Sequence, residues 1–152
     1  MPEAVIFIGI QASGKSTLYH RRFESTHIYI NMDSLHTRRK EKLLLQECIG
    51  AKHSFVVDNT NPTKAERSVY IAAARENGYS VLGYYFRSVI AESLARNGQR
   101  SGKQKIPDRG IISTAKRLEK PSYNEGFDGL FYVAIGDDGQ FIIDKWRKSD
   151  EV

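Results

Sequence analysis

The sequence has 152 residues, 40% hydrophobic and 27% charged, a composition that supports one compact domain with a hydrophobic core and excludes a disordered chain. Its 23 Lys and Arg against 18 Asp and Glu give a formal charge of +5, which favours anionic partners without distinguishing nucleic acid from small phosphorylated molecules. Because Cys48 is the only cysteine, an intrachain disulfide is excluded and a reducing, cytoplasmic setting is predicted.

Short apolar runs alternate with helical patterns along the whole chain. The first run, residues 4–10, is too short to span a membrane and lacks the basic start of a signal peptide, so we expect no membrane association. Strands are predicted at residues 4–8, 27–30, 54–57, 81–86 and 130–135, with a short partner at 140–143. Helices are predicted at residues 15–24, 34–48, 62–76, 88–97 and 108–120.

Capping residues and apolar periodicity predict where some of these helices begin and end, and which of their side chains face the core. Asn61 is the predicted cap of the third helix, which Asn77 and Gly78 close, and Asp108 is the predicted cap of the last. The residues expected to face the core are Leu35, Leu43, Leu44 and Cys48 in the second helix, Ala65, Val69, Ala72 and Ala73 in the third, and Ile111, Ile112, Ala115 and Leu118 in the last.

Strands that alternate with helices predict an α/β fold with a mainly parallel sheet of about five strands. In such sheets, ligands bind at the carboxyl ends of the strands. Residues 98–105 interrupt the pattern with a polar, basic segment containing two glycines, which indicates a mobile excursion within one domain.

Residues 9–16 read GIQASGKS and match the phosphate-loop pattern G-x-x-x-x-G-K-[ST] at every fixed position, between a predicted strand and a predicted helix. The glycines let successive backbone N–H groups point at phosphate oxygens, and the helix start adds its positive dipole end. Lys15 is placed to bridge the β- and γ-phosphates, and the Ser16 hydroxyl to hold Mg²⁺. This segment therefore predicts a site for a nucleoside triphosphate, expected to be ATP, with Mg²⁺.

A phosphate loop occurs in kinases, GTPase switches and ATPase motors alike. The N-K-x-D segment typical of guanine specificity is absent, and a motor is usually larger. A compact chain with a basic segment late in the fold favours a kinase whose lid excludes water from the phosphates.

Two aspartates follow predicted strands, where a kinase needs carboxylates. Asp33 is placed either to act as the base that takes the acceptor proton or to cap the helix that follows it. Asp58 is placed either to bind a magnesium-coordinated water or to stabilise a turn.

Arg96 and Arg100 are four residues apart and would share one face of a continuous helix, where they could grip the transferring phosphate. Gly98 provides a place for that helix to end between them. A solvated basic face is the alternative explanation of their spacing.

Taken together, these segments resemble the kinase domain of the 5′-polynucleotide kinase family, over residues 5–133. The segments that carry the resemblance are the phosphate loop, Asn31-x-Asp33, the run 58–61 followed by Pro62, Arg96-Asn97-x-x-Arg100, and residues 121–127. The resemblance implies a three-layer P-loop kinase fold in a single domain, residues 1–152, with a small basic lid at about 96–110.

The resemblance also implies roles for particular residues. The catalytic residues would be Asp33 as general base, Lys15, and Arg100 as the lid arginine that stabilises the transition state. Residues expected to bind the nucleotide are Gly9, Gln11, Ala12, Ser13, Gly14, Lys15, Ser16, Thr17, Arg96 and Arg100. Residues expected to bind the acceptor are Asp33, His36, Arg38, Asp58, Asn59, Thr60 and Asn61, with Ser16 on Mg²⁺ directly and Asp58 through water.

Two features depart from the family pattern. A basic residue for the acceptor phosphate is expected shortly after the base, where this sequence offers His36, Arg38 or Arg39, with lid lysines Lys103 and Lys105 as further phosphate contacts. The D-x-D-x-[TV] motif of the phosphatase domain carried by many members is absent, so we expect kinase activity alone, with a separate partner as a possible source of 3′-end processing.

The main hypothesis is a kinase that phosphorylates 5′-hydroxyl ends of RNA or DNA. The runner-up is a kinase of a small-molecule hydroxyl, such as a sugar, a nucleoside or a nucleotide-sugar as in zeta-type toxins. A third hypothesis is a binding module that uses ATP to set its shape and transfers no phosphate.

Overall fold

The structure, a computed structural model, describes residues 1–151 apart from the side chains of Lys103 and Glu151, so the predicted contacts of Lys103 and the end of the predicted domain at Val152 lie outside the described residues. The strands are β1 Glu3–Ile8, β2 Ile28–Ile30, β3 Phe55–Val57, β4 Ser80–Phe86, β5 Gly129–Ile135 and β6 Phe141–Lys145. The helices are α1 Lys15–Arg22, α2 Met32–Leu35, α3 Arg38–Gly50, α4 Lys64–Glu76, α5 Ile90–Gly98 and α6 Asp108–Arg117, with 3₁₀ turns at Gly102–Gln104, Tyr123–Glu125 and Lys148–Glu151. Within the described range, every helix is too short or too polar to cross a lipid bilayer.

The six strands form one sheet in the order β2-β3-β1-β4-β5-β6. The first five are parallel, with Ala4 of β1 registered against Phe55 on one side and Val81 on the other. β6 returns antiparallel to β5 at the edge. The predicted α/β class with a mainly parallel sheet is therefore confirmed, and the short partner predicted at residues 140–143 is the sixth strand.

The core lies on both faces of β1, because successive side chains of a strand point to opposite sides. Ala4, Ile6 and Ile8 pack on one face with residues of α3 and α4. Val5 and Phe7 pack on the other face with Leu18 and Tyr19 of α1. Burying each of the large side chains contributes about 2 kcal/mol to folding, so this packing fixes the position of the central strand.

The single helix predicted at residues 34–48 is wrong, because this part of the chain forms two separate helices, α2 and α3. His36 ends α2 in the left-handed conformation, with φ 71°, and the Thr37 side chain caps α3 by accepting a hydrogen bond from Lys40 N at 3.2 Å. Because α3 begins anew at Arg38, different residues face inward. Leu43 is 50% exposed, and Leu45 takes the buried position.

The predicted cap and face of the third helix are also wrong. Thr63 rather than Asn61 caps α4, accepting from Glu66 N, and Val69 is 63% exposed. The buried residues of α4 are Arg67, Tyr70, Ile71 and Ala74. A pattern of small apolar residues missed this face because a fully buried arginine occupies its centre.

In α6, Asp108 lies in the first turn and makes no side-chain cap, and the N-cap position belongs to Pro107. Ile111 is buried as expected, whereas Ile112 is 36% exposed and Thr114 is buried in its place. A hydroxyl faces inward here because it contacts the phosphate loop, as described below.

Candidate active site

A cavity of about 730 Å³ opens at the carboxyl ends of β1, β2 and β3. Its lining combines the phosphate loop, the start of α2, the segment after β3 and the loop between α5 and α6. The lining residues are Gln11, Ala12, Gly14, Lys15, Ser16, Thr17, Asn31, Met32, Asp33, Arg38, Asp58, Asn59, Thr60, Arg100, Gln104 and Ile106.

The phosphate loop joins β1 to α1, and three hydrogen bonds fix its backbone. Gly9 N donates to the Thr60 carbonyl at 3.0 Å, and Ile10 N donates to Ser88 Oγ at 3.1 Å. Ser13 Oγ donates to the Ile10 carbonyl at 2.8 Å. Gly9 and Ser13 thus shape the loop from outside the cavity lining, whereas most of the other predicted loop residues line it directly.

Gly14 is the N-cap residue of α1 and has φ 99°, a conformation that favours glycine. A Cβ atom here would lie 3.0 Å from Ile135 Cδ1 and 3.1 Å from Phe141 Cε1, because the hairpin of β5 and β6 packs against the loop. Among the described residues no side chain caps α1, so its first N–H groups are available to an anion in the cavity.

The Lys15 side chain is buried beneath the loop. Its Nζ donates to the carbonyl oxygens of Gly9 at 3.1 Å and Ile10 at 2.8 Å. Burial lowers the pKa of Lys15 to about 8, although the nearby charge of Asp58 opposes that effect. The ammonium is therefore close to its titration range at a place where a phosphate would stabilise its charge.

Ser16, Asp58 and Tyr29 form one hydrogen-bonded group beside Lys15. Asp58 is 2% exposed, and its Oδ2 accepts from Ser16 Oγ at 3.0 Å and from the Tyr29 hydroxyl at 2.5 Å. Burial, followed by the charge of Asp58, raises the pKa of Tyr29, so the phenol keeps its proton.

The oxygen atoms of Ser16 and Asp58 fit Mg²⁺, which prefers oxygen ligands and retains several waters. In the part of the chain that the structure describes, no three His, Cys, Asp or Glu side chains group closely enough to hold a metal. A magnesium ion at this place would therefore share its ligands with phosphate oxygens and water, as in P-loop proteins.

Asp33 lies in the first turn of α2 with its side chain on the cavity, and its charge acts on Lys15. The capping explanation of this aspartate is wrong, because Asn31 is the cap and its Oδ1 accepts from Ser34 N at 3.1 Å. The carboxylate of Asp33 is thus exposed on the same cavity as Lys15, Ser16 and Arg100.

The segment after β3 connects this wall of the cavity to the phosphate loop. Asn59 Oδ1 accepts from Met32 N at 3.0 Å, which fixes the start of α2. Asn61, with φ 46°, turns away from the cavity and donates from Nδ2 to the Phe7 carbonyl at 2.7 Å. Asn59 and Thr60 line the cavity, whereas Asn61 ties the segment to β1.

Arg38 is the basic residue after Asp33 that reaches the cavity, whereas His36 and Arg39 are outside its lining. One Arg38 nitrogen donates to Glu41 Oε1 at 2.9 Å and to the Tyr70 hydroxyl at 3.3 Å. Glu41 Oε2 in turn accepts from Asn59 Nδ2 at 2.8 Å. Burial and the charge of Glu41 raise the pKa of Tyr70 to about 12, so this group stays protonated and holds Arg38 in place.

The two lid arginines have separate positions. Arg100 follows α5 and lines the cavity, whereas Arg96 lies outside the lining and donates to the Ala12 carbonyl at 3.1 Å. The helix ends at Gly98, so the shared face of a continuous helix is not formed. The buried Asn97 closes the lid loop by donating to the Ile106 carbonyl at 2.7 Å and accepting from Ile106 N at 3.1 Å.

Tyr29 and Thr114 are site residues that the sequence pattern did not indicate. Thr114 Oγ1 accepts from Gln11 Nε2 at 2.9 Å and so joins α6 to the phosphate loop. A tyrosine in a short strand and a threonine in an amphipathic helix belong to no motif. The only sequence signal for either residue was a nearby apolar residue, Ile28 for Tyr29 and Ile111 for Thr114.

Comparisons with known proteins agree with this geometry. The sequence model of a family described as AAA domain matches residues 5–121. The bifunctional polynucleotide phosphatase/kinase of Schizosaccharomyces pombe is 30% identical over 134 residues, covering 84% of this chain and 32% of the relative. The chain thus spans about a third of the length of the curated relatives it matches. The resemblance expected from the motifs is confirmed.

Two solved structures share the fold. A gluconokinase from Sinorhizobium meliloti superposes with a TM-score of 0.63 at 17% identity, over 90% of this chain and 84% of the other. The PezAT chromosomal toxin-antitoxin system of Streptococcus pneumoniae gives a TM-score of 0.73 at 12% identity, over 99% and 76%. At these identities the likeness concerns the fold alone.

Proposed function

Because the chain belongs to the AAA domain family, we propose that it is an ATP-dependent kinase that phosphorylates the 5′-hydroxyl end of RNA or DNA. The observation that carries the proposal is the position of Asp33. Its carboxylate is not used as a helix cap and lies on one cavity with Lys15, Ser16 and Arg100.

In this proposal Asp33 orients the acceptor hydroxyl and takes its proton as the oxygen attacks the γ-phosphorus. The bond between that phosphorus and the β–γ bridging oxygen breaks, and ADP leaves with the electron pair. Lys15, the loop N–H groups and Arg100 stabilise the charge on the phosphoryl oxygens. Mg²⁺, held by Ser16 and through water by Asp58, would neutralise phosphate charge when bound.

The acceptor is assigned from the relatives and from Arg38. A polynucleotide acceptor carries a phosphate one nucleotide beyond its 5′-hydroxyl, and Arg38 lines the cavity with its guanidinium already oriented by Glu41. The relative from Schizosaccharomyces pombe bears the words polynucleotide and phosphatase in its name. The bifunctional name of that relative supports a coupling of such a kinase to end processing.

A second candidate is a kinase of a small hydroxyl compound, which the shared fold of the gluconokinase supports. The two candidates differ in salt dependence. Binding of an oligonucleotide weakens steeply as salt rises, because phosphate contacts release counterions. Binding of a neutral sugar or nucleoside would be nearly independent of salt.

The test is phosphate transfer from labelled ATP to a panel of 5′-hydroxyl RNA and DNA oligonucleotides, nucleosides and sugars. We expect transfer to the oligonucleotides, and a loss of at least about 100-fold in kcat for Asp33→Asn, which keeps the shape but removes the base. Asp144→Asn, on the exposed side of β6, is the matched control and should keep the wild-type rate. Transfer to a sugar alone, or an active Asp33→Asn enzyme, would contradict the proposal.

A further inference from the structure

A second cavity, of about 410 Å³, lies between α3 and α4. We call it the α3–α4 groove. It is lined by Arg38, Glu41, Lys42, Leu45, Gln46, Ile49, Val69, Tyr70 and Ala73.

The walls of the groove are aliphatic. Leu45 is buried at its floor, and Val69 on α4 is 63% exposed. Leaving a valine in water without a partner forgoes most of the free energy that its burial would contribute. The groove therefore offers apolar surface to a flat, weakly polar group.

The groove is continuous with the candidate active site through Arg38, which lines both cavities. The Tyr70 hydroxyl, in the wall of the groove, is 3.4 Å from Asn59 Nδ2, and Asn59 lines the first cavity. A chain that leaves the acceptor position past Arg38 would enter the groove directly.

Charge follows the same path. Arg38, Lys42 and Gln46 stand at successive turns of α3 and all line the groove, at intervals of about 6 Å along the helix axis. The buried Glu41 also lines the groove, with its carboxylate bonded to Arg38 at 2.9 Å, so the lining carries two cations and one anion, a net positive charge that suits an anionic strand. A positively charged groove that tracks the backbone is one of the features by which proteins hold single-stranded nucleic acid.

We propose that the α3–α4 groove binds the second nucleotide of the acceptor strand, an inference that rests on the proposed function. Arg38 contacts the phosphate that joins the first two nucleotides. The second base packs on Val69, Ala73 and Ile49, and Lys42 contacts the phosphate that follows. The groove thus selects polynucleotides over mononucleotides at a distance from the reacting atoms.

The first test needs no variant and compares acceptors of different length. The acceptors are a nucleoside 3′-monophosphate, which ends at Arg38, and a 5′-hydroxyl trinucleotide of the same first base, which extends into the groove. We expect kcat/KM for the trinucleotide to exceed that for the monophosphate by at least about fivefold. Equal values for the two acceptors would overturn the subsite and leave the proposed function intact. Transfer to neither acceptor would overturn both.

The second test places a carboxylate in the groove. Val69→Asp should lower the ratio of the two kcat/KM values by at least about fivefold, because the new charge repels the strand and removes apolar surface. Leu43→Asp puts the same charge on an exposed aliphatic position of α3 outside the groove and should leave the ratio unchanged. Both positions are at least half exposed, so folding is preserved, as circular dichroism would verify.

Equal ratios for Val69→Asp and Leu43→Asp would overturn the assignment. A change of oligomeric state in Val69→Asp, with the ratio unaltered, would assign the groove to a contact between two copies of the chain.

Discussion

Lys15 is the residue whose chemistry is most altered by its position. Burial lowers its pKa to about 8 from an ordinary value of 10.5. Between those two pH values the unfolded chain binds more protons than the folded one, so this group makes folding more favourable as pH rises through the window. Binding of the triphosphate depends on pH in the opposite sense, because it requires the protonated ammonium group of Lys15.

We therefore predict that the affinity of the free protein for a non-hydrolysable ATP analogue falls as pH rises above about 8. The pKa of Tyr29 is raised and that of Tyr70 is about 12, so neither phenol titrates in this range. Titration calorimetry between pH 7 and 9.5 measures the effect, with Lys15→Ala as the control that should bind weakly without the step. A flat affinity profile for the wild type would show that Lys15 keeps its proton throughout.

The placement of single site residues was predictable where a motif dictates the backbone. Residues 9–16 form a loop between β1 and α1 at the cavity, and Asp33 and Asp58 reach that cavity because each follows a parallel strand. His36 and Asn61 were misplaced because both adopt left-handed backbone angles, which redirect a side chain and leave no trace in an apolar pattern.

At the scale of elements, the lid helices are fastened to the phosphate loop. Ser93 Oγ on α5 donates to the Ala12 carbonyl at 3.4 Å, and Arg96 donates to the same oxygen at 3.1 Å. On α6, the Thr114 hydroxyl donates its proton to the Gly110 carbonyl at 2.9 Å, so it accepts from Gln11 and fixes the orientation of that amide. Each of the two helices that flank Arg100 is thus hydrogen-bonded to the phosphate loop.

We predict that Thr114→Val raises KM for ATP about fivefold, the effect of losing one hydrogen bond between lid and loop. The Gln11 amide then lacks its partner and α6 loses its anchor on the loop. Steady-state kinetics with ATP varied at saturating acceptor measures the change. Ser113→Ala, exposed on the same helix, is the control and should match the wild type. An unchanged KM in Thr114→Val would mean that α5 alone positions the lid.

The existence of most elements was predictable from their periodicity, but their boundaries and buried faces were not. The break between α2 and α3 depends on Thr37, which caps α3. In the sequence it cannot be told from any other polar residue within a helical pattern. The buried face of α4 depends on Arg67, which counts as a surface residue until its partner from elsewhere in the chain is known.

At the scale of the whole molecule, that partner is Glu125. Arg67 is 0% exposed, and its Nε and one terminal nitrogen donate to the two Glu125 oxygens at 2.8 and 3.1 Å. The other terminal nitrogen donates to the Asn61 carbonyl at 2.8 Å. This ion pair joins α4, the turn Tyr123–Glu125 and the segment behind the active site.

We predict that Glu125→Gln lowers the free energy of unfolding by about 3 kcal/mol, because it leaves the Arg67 charge buried without compensation. Urea unfolding followed by fluorescence measures the loss, and Glu76→Gln at an exposed position is the control. If both variants unfold at the same urea concentration, the pair contributes little net stability.

The fold class was predictable at this scale because alternation of strands and helices permits few parallel arrangements. The ion pair was not, because Arg67 and Glu125 lie far apart in the chain, and their geometry appears only when the whole sheet is assembled.

The packing of Ile135 and Phe141 beside Gly14, which leaves little room for a Cβ atom, has a consequence for the order of folding. A nascent polypeptide released from the ribosome as far as β5 already carries every residue of the triphosphate-binding motif, but it lacks the phenyl ring that backs the glycine. The wall behind this glycine is therefore complete only once β6 has paired with β5, so closure of that hairpin and shaping of the loop are coupled steps of folding.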